Sequence, residues 1–201
     1  MEQVQHGIID SPPPRAPATN HDPFDDGRAL QDRLQVHCFG CGALNAHGLH
    51  IKSRWEGDEF VCVWHPRPEH IGFPGYVYGG TIASVVDCHA IWASLSVFCR
   101  EAGHDLSIGP PPFGVVTGSL HVNYLKPALV AQPLELRARI VEHGERKSVV
   151  ACSVRQGSLQ CATAEVITVR VKGMTEMKPP RSLCSLPPTG ASQHLRAAGR
   201  C

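Results

Sequence analysis

Short runs in which hydrophobic and polar residues alternate occupy the middle of the chain, and they predict six β-strands. One longer run, Thr81 to Gly103, contains no proline and is apolar on most of a helical surface. It predicts a long α-helix that is enclosed by other structure and ends close to Gly103. The strands are expected at residues 49–55, 59–65, 115–125, 133–142, 147–155 and 159–171.

The order of these elements, β-β-α-β-β-β-β with short connections, predicts a mostly antiparallel sheet packed on one helix. This is a two-layer α+β domain, and a sheet that wraps around the helix explains why the helix is apolar nearly all round. Residues 1–33 and 173–201 are rich in proline and are expected to be disordered, which leaves 34–172 as the folded domain.

Composition excludes several classes of partner. The formal charge of +1 gives no general attraction to nucleic acid or to an anionic membrane. No run of apolar residues is long enough to predict a membrane span, and no secretory signal is visible. The nine cysteines form no compact framework. We therefore expect reduced thiols and a cytoplasmic protein.

Asp87 is an isolated acid in the predicted helix. None of its neighbours at helical spacing is basic: Ala83, Ser84, Ala90 and Ile91. An unpaired buried carboxylate is costly, so one interpretation places Asp87 on a narrow solvent-exposed face of the helix. The alternative, which we favour, is a carboxylate base or nucleophile in an apolar cleft.

Gly79 and Gly80 stand at the predicted start of the same helix. The first backbone N–H groups of a helix have no partner within it, and glycine lets a ligand approach them closely. They are suited to hold a thioester carbonyl and to stabilise the oxyanion that develops on it. An ordinary loop-to-helix junction is the alternative, but Asp87 two turns later favours a shared cleft.

The cysteines and histidines suggest a second site. Cys38 and Cys41 form a C-x-x-C motif, and with His47 and His50 they offer four zinc ligands at an unusual spacing. The alternative, which we favour, is a tight turn that caps the domain, with no metal.

Other residues of the predicted helix favour packing roles. Cys88 and Cys99 are typical of buried small hydrophobic residues. His89 points about 200° away from Asp87 on an ideal helix, which favours packing or an interface over a partnership with the acid.

The segment "GYVYGGTIASVVD" resembles the HGG-x₆-D segment of hotdog-fold acyl-CoA thioesterases of the PaaI-like and human THEM type. Two further segments, "CFGCGALNAHGLHI" before it and "VVTGSLHVNYLKPA" after it, resemble the same family in the same order. The resemblance spans roughly Cys38 to Val171. It implies a hotdog fold, in which a curled antiparallel sheet wraps around the long helix.

The resemblance also implies a site and an assembly. Asp87 matches the acid that activates water or attacks the thioester, and Gly79 matches the glycine whose N–H polarises the carbonyl. Thr117 matches a position that reaches across from the partner subunit to position water. The active unit would be a homodimer or a pair of dimers, with sites between subunits, an acyl-CoA substrate and no cofactor.

The match has one departure, because Tyr78 stands where the family has histidine. We expect Tyr78 and Gly80 at the substrate, and Lys126, Arg146 and Lys147 at the phosphates of coenzyme A. For Arg146 and Lys147, a solvated turn is the alternative. For the whole protein, the alternative to a thioesterase is a non-catalytic protein that binds acyl-CoA or an acyl carrier.

Overall fold

The computed structural model describes residue 24 and residues 26–172. This part of the chain contains one α-helix, six β-strands and three short 3₁₀ turns, at Leu30–Arg33, Pro68–His70 and Leu106–Ile108. The helix and strands are β1 Ser53–Glu56, β2 Glu59–Trp64, α1 Gly79–Glu101, β3 Phe113–Tyr124, β4 Leu134–His143, β5 Lys147–Gln156 and β6 Leu159–Lys172.

All six strands belong to one antiparallel sheet with the order β1-β2-β4-β5-β6-β3. Helix α1 packs against β3, β4, β5 and β6, and the sheet curls around it. The predicted α+β hotdog fold is therefore confirmed. Strand β3 lies at one edge of the sheet and is paired on one side by β6.

Helix α1 is the centre of the hydrophobic core, and thirteen of its 23 residues are buried. An 18-residue window of α1 has a mean hydropathy of 1.6, which by composition alone suits a membrane span, but 67% of that window is buried inside the fold. The helix is thus enclosed by its own sheet. It ends as predicted, because Gly103 follows it with a φ of 62°, in the left-handed region that favours glycine.

Two boundaries differ from the prediction. The first strand begins at Ser53 instead of residue 49, because Leu49 and Ile51 donate backbone hydrogen bonds to Phe39 and Gly40. The packed part of the chain also begins before residue 34, since the Phe24 and Leu30 side chains lie in the core. The rest of the segments expected to be disordered lies outside the described residues.

His89 on α1 is fully buried, and its hydrogen bonds define which ring nitrogen carries the hydrogen. Its Nε2 lies 2.9 Å from the Phe60 carbonyl oxygen, which only accepts, so this nitrogen carries the hydrogen. Its Nδ1 then accepts from the Ser53 hydroxyl at 2.9 Å. The predicted packing role is confirmed. Burial lowers the pKa of His89 to about 4, while the hydrogen bond to Phe60 opposes this shift.

This lowered pKa predicts that stability is lost as pH falls. Between about pH 6.5 and about pH 4 the unfolded chain protonates His89 and the folded chain does not. The free energy of unfolding should decrease across that window by an amount on the order of 3 kcal/mol. Denaturant unfolding at several pH values measures this decrease.

The matched variant is His89→Gln, which retains an N–H donor for the Phe60 carbonyl but does not titrate. It should be less stable than the wild type at neutral pH and should lack this part of the pH dependence. Parallel curves for the two proteins between about pH 7 and about pH 4 would contradict the assignment.

Candidate active site

Asp87 lies on the face of α1 that meets β3, where the Thr117 hydroxyl donates a hydrogen bond to its Oδ1. The carboxylate is partly buried and lines a cavity of about 290 Å³. Cys38, Gly40, Ser84 and other residues complete the lining of this cavity. The carboxylate is thus oriented by one neutral donor and faces an open space.

Asp87 forms no ion pair with any residue of the described part of the chain. The polar side chain that reaches it, Thr117, belongs to the same chain. This corrects the expectation that Thr117 approaches from a partner subunit. Thr117 belongs to β3, which pairs with β6 and packs against α1.

Gly79 is the first residue of α1 and lines a second, larger cavity of about 720 Å³. Within residues 26–172 the backbone N–H of Gly79 has no hydrogen-bond acceptor. Its carbonyl oxygen accepts from the Tyr124 hydroxyl at 2.8 Å. The remaining lining is mostly apolar and includes Tyr76, Val77, Ile82 and Ala128. This cavity therefore offers a free amide beside an apolar surface.

The structure separates Gly79 from Asp87, which sequence reasoning expected in one cleft. The two residues line different cavities. Eight residues of α-helix correspond to a rise of about 12 Å. One carbonyl group needs its hydrogen-bond donor and its attacking group within about 3.5 Å. A single chain therefore does not bring the Gly79 N–H and the Asp87 carboxylate into one cavity.

Tyr78 caps the start of α1 with its backbone, and its side chain is 59% exposed. Its N–H donates to the His70 carbonyl at 2.8 Å, so the backbone holds the loop before α1. The Tyr78 ring covers the position where a Cβ on Gly80 would lie. Neither Tyr78 nor Gly80 lines either cavity, but both adjoin Gly79, which lines the larger one.

The three predicted basic residues do not form one group. Lys126 lines the larger cavity with Gly79. Arg146 and Lys147 are exposed at the turn between β4 and β5, near the opposite end of β3. Lys147 pairs with Val169 of β6, and Val169 pairs with Val116 of β3. Val116 and Tyr124 are eight residues apart on β3, so the turn lies roughly 25 Å along the sheet from Tyr124.

Tyr124 is a residue of the larger cavity that the sequence did not single out. Burial, and secondarily the nearby Tyr78, raises the pKa of its phenol. Its position in "NYLKPA", immediately before Lys126, was the available signal. Only the chain fold shows that this strand end meets the start of α1.

Cys88 is the second residue whose surroundings the sequence did not show. Its sulfur lies 3.5 Å from the Cys38 sulfur, and these two atoms and the Cys41 sulfur all lie within 4.8 Å of one another. Hydrogen bonds from the Cys41 and Cys88 thiols hold the pKa of Cys38 well below its ordinary value. His47 and His50, the other zinc ligands considered, are outside this cluster.

The part of the chain that carries the candidate site resembles known proteins. Residues 74–163, which include Gly79, Asp87 and Thr117, match the thioesterase superfamily. The PaaI protein of the Escherichia coli phenylacetic acid degradation operon has 15% identity, with 62% of this chain and 82% of that chain covered (TM-score 0.51). A Streptococcus mutans protein bound to acetyl-CoA has 18% identity, with 68% and 98% covered (TM-score 0.51). These two likenesses show the fold.

Sequence identity is higher for a thioesterase superfamily protein from Shewanella loihica. It is 34% identical to this chain and aligns over 64% of this chain and 95% of its own length, with a TM-score of 0.48. Identity of 34% over nearly the whole Shewanella protein, together with the match of residues 74–163, shows that this chain belongs to the thioesterase superfamily.

Proposed function

We propose that the protein is an acyl-CoA thioesterase in which Asp87 is the reactive carboxylate. The observation that supports this most directly is the Thr117–Asp87 hydrogen bond on the wall of a cavity. A carboxylate held by one neutral donor keeps its second oxygen, Oδ2, available for chemistry. Membership of the thioesterase superfamily makes a thioester the natural reactant.

Two steps suit this carboxylate. As a general base, Asp87 takes a proton from water while the water oxygen attacks the thioester carbon. The C–S bond then breaks, the proton passes to the thiolate of coenzyme A, and the free acid remains. As a nucleophile, Asp87 attacks the carbon itself, the C–S bond breaks and coenzyme A leaves as a thiolate, and water then hydrolyses the mixed anhydride to the free acid and the Asp87 carboxylate, with a proton passing to the thiolate. In both cases an N–H at the carbonyl oxygen stabilises the developing oxyanion.

The oxyanion donor and the carboxylate come from two copies of the chain. Because Gly79 and Asp87 of one chain lie about 12 Å apart along α1, a complete site needs the Gly79 N–H of one subunit beside Asp87 and Thr117 of another. A two-fold symmetric dimer makes two such sites. The active unit is therefore at least a homodimer, and a pair of such dimers keeps the same sites.

The edge of the sheet supports this assembly. Strand β3 carries Thr117, is twelve residues long and presents one unpaired edge in the isolated chain. A long open edge is a template for pairing with another strand. Pairing β3 with its copy joins the two sheets and brings the Asp87 region of one subunit toward the other.

The lining of the larger cavity supports a place for the substrate there. Its apolar lining, with Val77, Ile82 and Ala128, suits an acyl group or the pantetheine arm. Lys126 lies in the same lining and supplies a positive charge for a phosphate. The Streptococcus mutans relative holds acetyl-CoA, which supports this class of ligand. Arg146 and Lys147 reach the same coenzyme A only if a second subunit presents them.

The thiols support a cytoplasmic location. All seven cysteines in the described part of the chain are free, including the three that lie together. Free thiols persist in reducing compartments. We therefore propose the cytoplasm as the site of action.

The Thr117–Asp87 pair gives the first test. Asp87→Asn keeps the shape and the hydrogen bond from Thr117 but lacks the reactive charge. It should lower kcat/KM for acyl-CoA hydrolysis by about 10²- to 10⁴-fold, as expected for loss of a general base. Thr117→Val should also lower kcat, whereas Thr117→Ser retains the hydroxyl and should remain close to wild type. A free-thiol assay with short, long and aromatic acyl-CoA esters measures these changes.

Near-normal turnover by Asp87→Asn would exclude the mechanism. Tight acyl-CoA binding by the wild type without release of thiol would instead establish a non-catalytic binding protein. Single turnover in ¹⁸O-labelled water tests for the nucleophilic role of Asp87. Water that attacks a mixed anhydride at the Asp87 carboxyl carbon leaves the label in the Asp87 side chain, whereas a general base never does.

The Gly79 amide gives the second test. Tyr78 has φ −63° and ψ 130°, an extended conformation that proline accepts before it, and Gly79 is the first helical position. Gly79→Pro therefore removes this single N–H while the helix start is preserved. It should lower kcat by about 10²- to 10³-fold. Gly79→Ala keeps the N–H, and its Cβ meets Tyr124 at 3.4 Å, an ordinary contact, so its kcat should change little.

Mixed dimers then test whether the two groups come from different subunits. Coexpression of differently tagged Asp87→Ala and Gly79→Pro chains, with purification through both tags, gives heterodimers. Each heterodimer has one intact composite site and one doubly defective site, so about half of the wild-type activity should return. Activity no higher than that of either variant alone would show that Gly79 and Asp87 act within one chain.

A further inference from the structure

The Cys38, Cys41 and Cys88 sulfur atoms form a compact triangle beside the candidate active site. All three lie within 4.8 Å of one another, and Cys38 Sγ lies 3.5 Å from Cys88 Sγ. The first two belong to the turn "CFGCG", and the third belongs to α1, fifty residues later. The fold therefore adds a third sulfur to a C-x-x-C motif that had two.

This spacing fits one metal ion. Three thiolates of a tetrahedral Zn²⁺ site, with Zn–S bonds of about 2.3 Å, have sulfurs about 3.8 Å apart. One observed separation is 3.5 Å and the other two are at most 4.8 Å, so small side-chain rotations bring the three sulfurs to an ion. Soft thiolate ligands select soft or borderline metals such as Zn²⁺ and Cu⁺.

One sulfur of the cluster accepts a hydrogen bond from an aromatic N–H, as metal-bound thiolates often do. The Trp92 Nε1–H donates to Cys41 Sγ at 3.0 Å. A donor of this kind orients a metal ligand and stabilises its charge. The Trp92 hydrogen bond thus fixes the orientation of one of the three sulfurs.

The turn is held rigidly against the helix. The Gly42 N–H donates to the Cys38 carbonyl at 2.8 Å, and the Leu49 and Ile51 N–H groups donate to Phe39 and Gly40. A Cβ on Gly40 would overlap the Cys88 sulfur, so only glycine lets the turn lie this close to α1. The three sulfurs are therefore preorganised before any ion binds.

We propose that Cys38, Cys41 and Cys88 bind one thiophilic metal ion, with Zn²⁺ as the tested case. Within residues 26–172, three ligating side chains make up this cluster, so the fourth ligand comes from solvent. Solvent has access because Cys38 is exposed and the cavity of about 290 Å³ borders the cluster. The ion joins the turn to α1 next to Asp87, and this proposal does not rest on thioesterase activity.

Binding of Zn²⁺ to the full chain tests the site. The protein is purified under reducing conditions, stripped with a chelator and titrated with Zn²⁺ against a competing indicator. A background with Cys184→Ser and Cys201→Ser removes thiols outside the described residues. We expect one Zn²⁺ per chain, a higher melting temperature with Zn²⁺, and sulfur-to-metal charge-transfer absorption when Co²⁺ replaces it.

Matched variants identify the ligands. Cys38→Ser, at an exposed position, and Cys88→Ala should each weaken Zn²⁺ binding by at least about 100-fold, and Trp92→Phe by about 10- to 100-fold. Cys99→Ala, at a buried cysteine of the same helix outside the cluster, should bind as the wild type does. Absence of Zn²⁺ binding, wild-type affinity in Cys38→Ser, or an equal loss in Cys99→Ala would overturn the proposal.

Discussion

Enclosure of α1 by a single curled sheet is the constraint on which the other features depend. An apolar helix held on several sides has few rotations available, so each residue has a fixed direction. Three consecutive residues illustrate this. Asp87 meets Thr117 on β3, Cys88 meets the C-x-x-C turn, and His89 enters the core against Ser53 and Phe60. The candidate chemistry thus follows from the burial of the helix.

Enclosure also keeps the two candidate groups apart within one chain. The helix has the Gly79 amide at its start and the candidate acid Asp87 two turns later. A buried helix does not bend to bring these two groups together, because bending would disturb the sheet around it. In the proposed enzyme, association through the open edge of β3 would bring the two groups together from different subunits, which would link assembly to catalysis.

Local sequence patterns predicted the helix and the strands. The features that they did not predict depend on contacts between segments that are distant in sequence. The helix and strand boundaries agree with the prediction within two residues, except at β1, where Leu49 and Ile51 bond to the C-x-x-C turn. The isolation of Asp87 was visible because its helical neighbours are near in sequence. The Cys38–Cys88 contact, the Tyr124–Gly79 bond and the separation of the two cavities depend on how the sheet closes, which no local pattern encodes.

The arrangement of Asp87, Cys88 and His89 has a consequence for how this family member tolerates change in length. Adjacent residues on a helix differ by about 100° in direction. A one-residue insertion or deletion between Gly79 and Asp87 would turn all three away from their separate surroundings at once. Insertions and deletions among relatives are therefore expected in the loops outside α1. Within α1, we expect relatives to differ by substitutions.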